Sequence, residues 1–140
     1  MRLTTYISAG VFIFFSAFVI KNKEEHKQAK TLYNTKWSLK KIHTDSTVQE
    51  VTGRAFIKFN EEKKSAGGNG SCNSFGSLLS VSENTLTLSN LFSTKMFCEG
   101  VQETEDNFFH RLGLVNRFEI KNKNLYLYRE KELLLEFTGE

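Results

Sequence analysis

The sequence contains no proline, only two cysteines and only nine glycines in 140 residues. It therefore lacks a proline-rich linker, and two cysteines are too few for a cysteine-dense mini-scaffold. It also lacks a strong net charge, because 19 Lys and Arg residues oppose 16 Asp and Glu residues. The resulting formal charge of +3 is spread along the chain and does not indicate nucleic-acid binding. With 39% hydrophobic and 13% aromatic residues, one domain can build its core from aliphatic and aromatic side chains.

The amino terminus is apolar and almost uncharged. Arg2 is the only charged residue among the first twenty, and residues 3–20 are followed by a polar run at residues 21–27. A positive start, an apolar middle and a polar exit are typical of an export signal. At ~1.5 Å per residue this segment spans roughly 27 Å, close to the ~30 Å of a hydrocarbon core. The sequence predicts a signal peptide or membrane anchor at residues 1–20 and a polar linker at residues 21–34.

The processing of this segment depends on its flanking residues. Around Ala17 stand Phe15, Phe18 and Val19, which do not provide the small residues of an ordinary signal-peptidase site. Bacterial lipoproteins carry a cysteine directly after the apolar segment, whereas the first cysteine here is Cys72. We expect an exported protein that is anchored in the cell-envelope membrane and is not a lipoprotein. Cleavage with release to the periplasm or medium, and a buried helix of the folded domain, are the alternatives.

From residue 35 to residue 140 short runs of alternating apolar and polar residues are separated by turn-forming residues. Such runs are typical of antiparallel strands. They lie at residues 37–42, 54–59, 85–88, 117–120, 125–128 and 133–137, and a glycine-rich strand or loop occupies residues 67–70. The last three runs predict a meander. We expect six or seven strands in a sheet that buries one face.

One segment departs from the two-residue period. Val101, Phe108, Phe109 and Leu112 recur at helical spacing, and Gly113 follows them. This pattern predicts one amphipathic helix that covers an opening of the sheet and ends at a left-handed glycine. The expected fold class is mainly β (α+β), preceded by the amino-terminal apolar helix.

Four acidic residues crowd the start of this helix: Glu99, Glu103, Glu105 and Asp106. They could be proposed as an acid–base pair. A solvated helix face that complements the helix dipole explains them more simply, and we interpret them in that way.

Cys72 and Cys98 are the only cysteines of the chain. In an exported protein such a pair is usually a disulfide, and we predict a structural disulfide between them. Two buried free thiols are an alternative. A catalytic thiol is a third interpretation, although no histidine is close to either cysteine in the sequence.

Other sites of chemistry are not indicated. The glycine-rich stretch at residues 67–70 lacks the Lys-Ser/Thr pair of a phosphate loop. The three histidines, His26, His43 and His110, are isolated and do not have metal-ligand spacing. We therefore expect no catalytic residue, no metal and no cofactor.

A set of short motifs does stand in a distinctive order, and its members are Trp37, Leu39, Cys72, Asn73, Phe75, Thr94, Met96 and Cys98. They form an opening Trp-x-Leu, a Cys-Asn stretch after a glycine-rich turn, and a Thr-x-Met-x-Cys stretch. In this order and separation they resemble the META domain, also called the HslJ-like or DUF306 domain, over residues 35–140. One departure is Ser71, which stands where the family usually has glycine.

The resemblance implies a small antiparallel, partly open β-barrel with a single helix. It also implies a place in the bacterial envelope, since many relatives are envelope lipoproteins and the heat-inducible member is associated with envelope stress and antibiotic tolerance. No biochemical activity is implied by the family as a whole.

We expect a non-enzymatic envelope protein that contributes to stress tolerance or envelope maintenance through binding. One alternative is a carrier of a small apolar ligand or lipid, with a cleft lined by Phe56, Phe75, Phe92 and Leu127. Another is an interaction or inhibitor module for a second envelope protein. The expected partners are the membrane, through the amino-terminal segment, and an unidentified protein or apolar ligand, but no nucleic acid.

Overall fold

A computed structural model describes Lys23, Lys27 and residues 31–140. The predicted apolar helix at residues 1–20 lies outside the described residues, as does most of the predicted linker. Within the described part of the chain, no helix is both long enough and apolar enough to cross a membrane.

A helical turn at residues 31–33 precedes nine strands and one longer helix in the described residues. These elements are β1 (Trp37–His43), β2 (Val48–Glu50), β3 (Phe56–Asn60), β4 (Ser65–Asn69), β5 (Ser74–Ser82), β6 (Thr85–Ser93), α1 (Gln102–Leu112), β7 (Arg117–Lys121), β8 (Asn124–Arg129) and β9 (Glu132–Gly139). The expectation of six or seven strands was too low because it omitted two strands. These are β2, which is only three residues long, and β5, which is rich in serine and contains Gly76.

The nine strands form one antiparallel sheet that closes on itself. Sequential neighbours pair from β3 to β9, and β9 returns to β1 in a register that sets Leu39 opposite Phe137 and Ile42 opposite Leu135. The weakest contact of the ring is between β6 and β7, which share the single pair Thr85–Arg117. The prediction of a mainly β, antiparallel and partly open sheet with one helix is confirmed, in the form of a ring-like nine-stranded sheet.

The core lies inside the ring, because the inward-facing residues of the strands are apolar. Trp37, Phe118 and Phe137 are among its largest fully buried side chains. Helix α1 adds Phe108, whose ring lies 6.1 Å from that of Phe137 and 5.7 Å from that of Phe75 in edge-on contacts. Such aromatic pairs add about 1 kcal/mol each beyond the burial of their area. The predicted amphipathic helix therefore covers the interior of the ring.

The core reaches back beyond β1. Leu32 is fully buried, and its carbonyl accepts a hydrogen bond of 3.0 Å from Nε1 of Trp37. Leu32 falls within residues 21–34, the stretch predicted as a linker. Its burial places the last helical turn before β1 against the domain.

The two ends of the domain meet at the closure of the ring. Trp37 lies opposite Gly139, and the backbone N–H of Glu140 donates to the carbonyl of Lys36 at 3.0 Å. The Nζ atom of Lys36 and Oε2 of Glu140 are 2.5 Å apart. Residues 36 and 140 are therefore neighbours in space.

The carboxyl end of α1 differs from the expectation. Gly113 has φ −66° and ψ −15°, which is right-handed, and its N–H donates to the carbonyl of Phe109 at 3.2 Å. The chain continues to turn in the same sense, because the N–H of Leu114 donates to the carbonyl of Arg111 at 3.1 Å. The prediction of a left-handed glycine was wrong because a further right-handed turn satisfies these carbonyls.

Candidate functional site

Two loops and the start of α1 converge at one end of the ring. Cys72 lies in the loop between β4 and β5, and Cys98 lies between β6 and α1. The two residues form a disulfide with a Cα–Cα distance of 5.9 Å. The predicted disulfide is confirmed, and the chain holds no free cysteine. The alternatives of two free thiols and of a catalytic thiol therefore do not hold in this structure.

Asn73 is the centre of a buried hydrogen-bond network beside the disulfide. Its Oδ1 accepts from Thr94 Oγ1 and from the N–H of Met96, both at 2.8 Å. Its Nδ2 donates to the carbonyl of Met96 at 2.9 Å and to Oε1 of Glu105 at 2.5 Å. The amide thus makes two accepted and two donated bonds, which is its full capacity. One side chain thereby ties the β4–β5 loop to the segment after β6 and to α1.

Glu105 is the second member of this network and is only 1% exposed. Its Oε2 accepts from the backbone N–H groups of Cys72 at 2.9 Å and Asn73 at 2.6 Å, while Oε1 accepts from the side chain of Asn73. A buried carboxylate is stable only when such donors surround it. Glu105 therefore holds the loop against the helix.

The interpretation of Glu105 as part of a solvated face was wrong, although Glu99, Glu103 and Asp106 are exposed as expected. The sequence did carry a signal. Glu105 stands three residues before Phe108 and seven before Leu112, which is the spacing of the buried stripe of a helix. A charged residue on that stripe indicates a buried carboxylate with dedicated donors.

Gly70 allows the loop to approach α1 this closely. A Cβ atom on Gly70 would lie 2.6 Å from Oε2 of Glu105 and 2.7 Å from the ring of Phe109. Any larger residue would separate the loop from the helix. The next residue, Ser71, has φ 102°, a conformation that favours glycine.

The network fixes the backbone that follows β6 while leaving its apolar side chains outside. The N–H of Thr94 donates to Ser74 at 3.0 Å, Met96 is bonded on both sides by Asn73, and Cys98 is held by the disulfide. Nevertheless Phe92, Met96 and Phe97 are 70%, 58% and 79% exposed. The stretch from Phe92 to Phe97 is called segment 92–97 below.

A depression of about 390 Å³ lies between segment 92–97 and α1. Its lining residues are Asn73, Ser93, Thr94, Lys95, Met96, Phe97, Gln102, Glu105, Asp106 and Phe109. Hydrogen-bonded groups of the network form its floor, and exposed apolar and charged side chains form its rim. The hydrogen bonds of Asn73 and Glu105 are already used within the network.

The motif residues separate into two groups in space. Trp37, Leu39 and Phe75 are core residues. The remaining members, Cys72, Asn73, Thr94, Met96 and Cys98, meet in the network and its disulfide. Three of the eight motif residues thus support the fold, and the other five build the loop end of the ring.

The cleft expected for an apolar ligand does not unite its four residues. Phe75 and Leu127 are buried in the core, and Phe56 is half-buried with Nζ of Lys36 5.2 Å from the centre of its ring. Phe92 lies on the outer surface. The alternation along β6 would place Phe92 on the same face as Leu86 and Leu88. A bulge shifts it, because Gly76 pairs with Phe92 but Leu78 pairs with Ser89. One extra residue in β6 reverses the side on which Phe92 lies.

The titratable residues form no further centre in the described part of the chain. No group of three or more His, Cys, Asp or Glu side chains there is placed to hold a metal ion. His43 contacts Glu136 at 2.7 Å, His110 is exposed on α1, and His26 lies outside the described residues.

Several solved structures share this fold. The chain is similar to a protein from Burkholderia xenovorans studied by NMR, with a TM-score of 0.66 and 16% identity over 100% of this chain and 98% of that one. A second NMR structure gives 0.57 and 21% identity over 78% and 92% of the two chains. A crystal structure of a DUF4847 family protein from Bacteroides vulgatus gives 0.54 and 9% identity over 78% and 94%. At these identities the likeness shows the fold.

The comparison of sequences gives the family. No curated protein matches the chain. The family model of the META domain, however, matches residues 30–140, which include the whole ring, the helical turn before it, the disulfide and the Asn73–Glu105 network. The chain therefore belongs to the META domain family.

Proposed function

We propose that this chain is a non-enzymatic binding domain of the bacterial cell envelope that contributes to stress tolerance or envelope maintenance. In this proposal the protein is exported and held at the membrane by residues 1–20, and segment 92–97 is its binding surface. The interaction module is thus the form of binding that we favour over a carrier of apolar ligands.

The observation that carries the proposal is the exposure of Phe92, Met96 and Phe97 on a backbone held by strand pairing at Phe92 and by Asn73 and the disulfide at residues 96 and 98. Single exposed apolar residues are common, but three large ones within six positions form a patch of the kind used in protein contacts. A fixed backbone reduces the conformational entropy lost when a partner binds. The binding surface is therefore pre-organised in the free protein.

Two further observations support a role without catalysis in an oxidising compartment. The side chains of Asn73 and Glu105 use their hydrogen bonds within the network, so neither is free to act on a substrate. The disulfide is of the kind that persists in exported proteins.

Cell fractionation with intact-mass measurement of the native full chain tests the location. We expect the protein in the envelope fraction with both cysteines oxidised. Recovery from the cytosol with two titratable thiols would contradict the proposal.

The binding surface is tested by placing a photo-reactive benzophenone side chain at position 97 in living cells. We expect a cross-linked partner from position 97 and none from Thr52, an exposed loop residue used as the control. A strain carrying the pair Phe92→Ser and Phe97→Ser should lose stress tolerance to the same extent as a deletion strain. Full tolerance in that strain would exclude this surface.

A further inference from the structure

The opening between β6 and β7 leaves part of β6 unpaired. The two strands share the pair Thr85–Arg117, and two backbone hydrogen bonds flank it, from Leu86 to Asn116 at 3.2 Å and from Phe118 to Asn84 at 2.9 Å. Beyond this point no described residue of β7 pairs with residues 87–93, of which residues 87–89, 92 and 93 pair with β5 on their other edge. At ~3.3 Å per residue this free edge is about 23 Å long.

This edge has a bulge, which is one of the protections of natural edge strands, but it lacks two others. Natural edge strands carry charged residues or proline, and residues 85–94 include neither. The bulge near Asn90, which has φ 51°, divides the edge into residues 87–89 and 91–93. The second part carries Phe92 and leads directly into Met96 and Phe97. Unpaired backbone groups and an apolar patch are therefore adjacent.

The charges around segment 92–97 limit the chemistry of a partner. Glu99, Glu103 and Asp106 are exposed, and no ion pair involves them in the part of the chain that the structure describes. Lys95 is the one exposed cation of residues 92–106, so the exposed side chains of this stretch carry three negative charges and one positive charge, a formal balance of −2. Asp106 lies on the rim of the depression with Phe97. A basic side chain beside an apolar one would complement this rim.

We propose that the free edge of β6 binds an extended segment of a partner protein, which adds as a strand while its apolar side chains contact Phe92 and Phe97 and a Lys or Arg lies near Asp106. This inference rests on the proposed function and names the partner class and the mode of binding. Strand addition would use both the unpaired backbone of β6 and the exposed apolar side chains beside it. Main-chain hydrogen bonds supply affinity, and contacts to alternate side chains supply specificity.

The test is the selection of peptides from a random nonapeptide display library against the full chain in detergent micelles. We expect the selected peptides to alternate apolar and polar residues and to contain Lys or Arg. Thr87→Lys with Ser89→Lys should weaken their binding by about tenfold or more, since charges on an edge oppose strand addition. Ser46→Lys with Thr52→Lys adds the same charge at exposed loop positions and should change binding by less than about twofold.

The backbone contacts are tested with the tightest selected peptide. Successive amides of an added strand point alternately towards β6 and away from it. N-methylation of every second amide of the peptide, in the set that faces β6, should abolish binding, whereas N-methylation of the other set should not. Binding should also slow amide hydrogen exchange at residues 87–93.

Three results would overturn strand addition: no enrichment from the library, equal effects of the two methylated sets, or a dimer of the chain that Thr87→Lys with Ser89→Lys dissociates. If a cross-link from position 97 persists alongside any of these results, the binding function stands and only its mode is wrong. If position 97 gives no cross-link, the proposed function itself fails.

Discussion

The carboxylate of Glu105 accepts the backbone N–H of Asn73 at 2.6 Å, and this buried hydrogen bond joins helix α1 to the β4–β5 loop. The two residues are 32 positions apart, and each makes its remaining bonds within the same network. The geometry of segment 92–97 depends on this junction, because Asn73 bonds both the N–H and the carbonyl of Met96.

Glu105→Gln should lower the free energy of unfolding by about 2 kcal/mol, because an amide NH₂ would face N–H donors that now have a carboxylate as acceptor. Urea unfolding followed by the fluorescence of Trp37, the only tryptophan, measures the change. Glu103→Gln is the matched control, since Glu103 is exposed on the same helix, and it should stay within about 0.5 kcal/mol of the natural protein. Equal effects of the two substitutions would show that the network contributes little to stability.

Replacing Ser71 with glycine should stabilise the domain by about 1 kcal/mol. Its φ of 102° lies in the region where a side chain is strained and glycine is not. Thermal unfolding measures the gain. Ser80→Gly, at an exposed position of β5 with ordinary backbone, should instead destabilise the domain by roughly 0.5 to 1 kcal/mol. A loss of stability in Ser71→Gly would mean that the hydroxyl matters more than the strain.

Removal of the disulfide by Cys72→Ser with Cys98→Ser should cost about 3.5 kcal/mol of unfolding free energy, which is the chain-entropy expectation for a separation of 26 residues. Urea unfolding with and without dithiothreitol measures it. The reductant should destabilise the natural protein by a similar amount and leave the double variant unchanged. A reductant-sensitive double variant would contradict this assignment.

Acidification should weaken the contact between Asp45 and Arg111. The buried guanidinium of Arg111, 2.7 Å away, donates to the exposed carboxylate of Asp45 and holds the pKa of that carboxyl below its usual 3.8. The stabilisation is therefore complete above the usual value and is lost as the pH falls through the lowered one. Asp45→Asn should flatten the dependence of unfolding free energy on pH below about 4.

The control for this dependence is the same substitution in an Arg111→Gln background, where Asp45 has lost its main partner. There Asp45→Asn should have little further effect on the pH dependence. If it flattens the curve equally in both backgrounds, another group is responsible for the titration.

The fold was largely predictable because most strands keep one alternation from end to end. Leu125 and Leu127 of β8 are buried, as their run indicates, and Arg117–Lys121 forms the first strand of the meander. The helix was found for the same reason, since Phe108 and Leu112 follow its period. Composition and periodicity are local properties, and these elements depend on them.

The site was less predictable because it depends on contacts between distant residues. The bulge in β6 that places Phe92 outside arises from pairing with β5, and the sequence of β6 alone gives it no signal. The backbone N–H groups that donate to Glu105 lie about thirty residues before it along the chain. Their approach to Glu105 depends on the fold and could not be predicted from the sequence near Glu105. The Cys72–Cys98 pair could be predicted, since the chain contains no other cysteines.

Because β1 pairs with β9, the two ends of the domain lie next to each other on its surface. Residue 36 and residue 140 lie side by side. A reporter domain fused to the carboxyl end would therefore lie close to residue 36. A short peptide linker could also join the two ends. A circularly permuted chain, reopened at the exposed turn between β3 and β4, would then retain every strand pair of the ring.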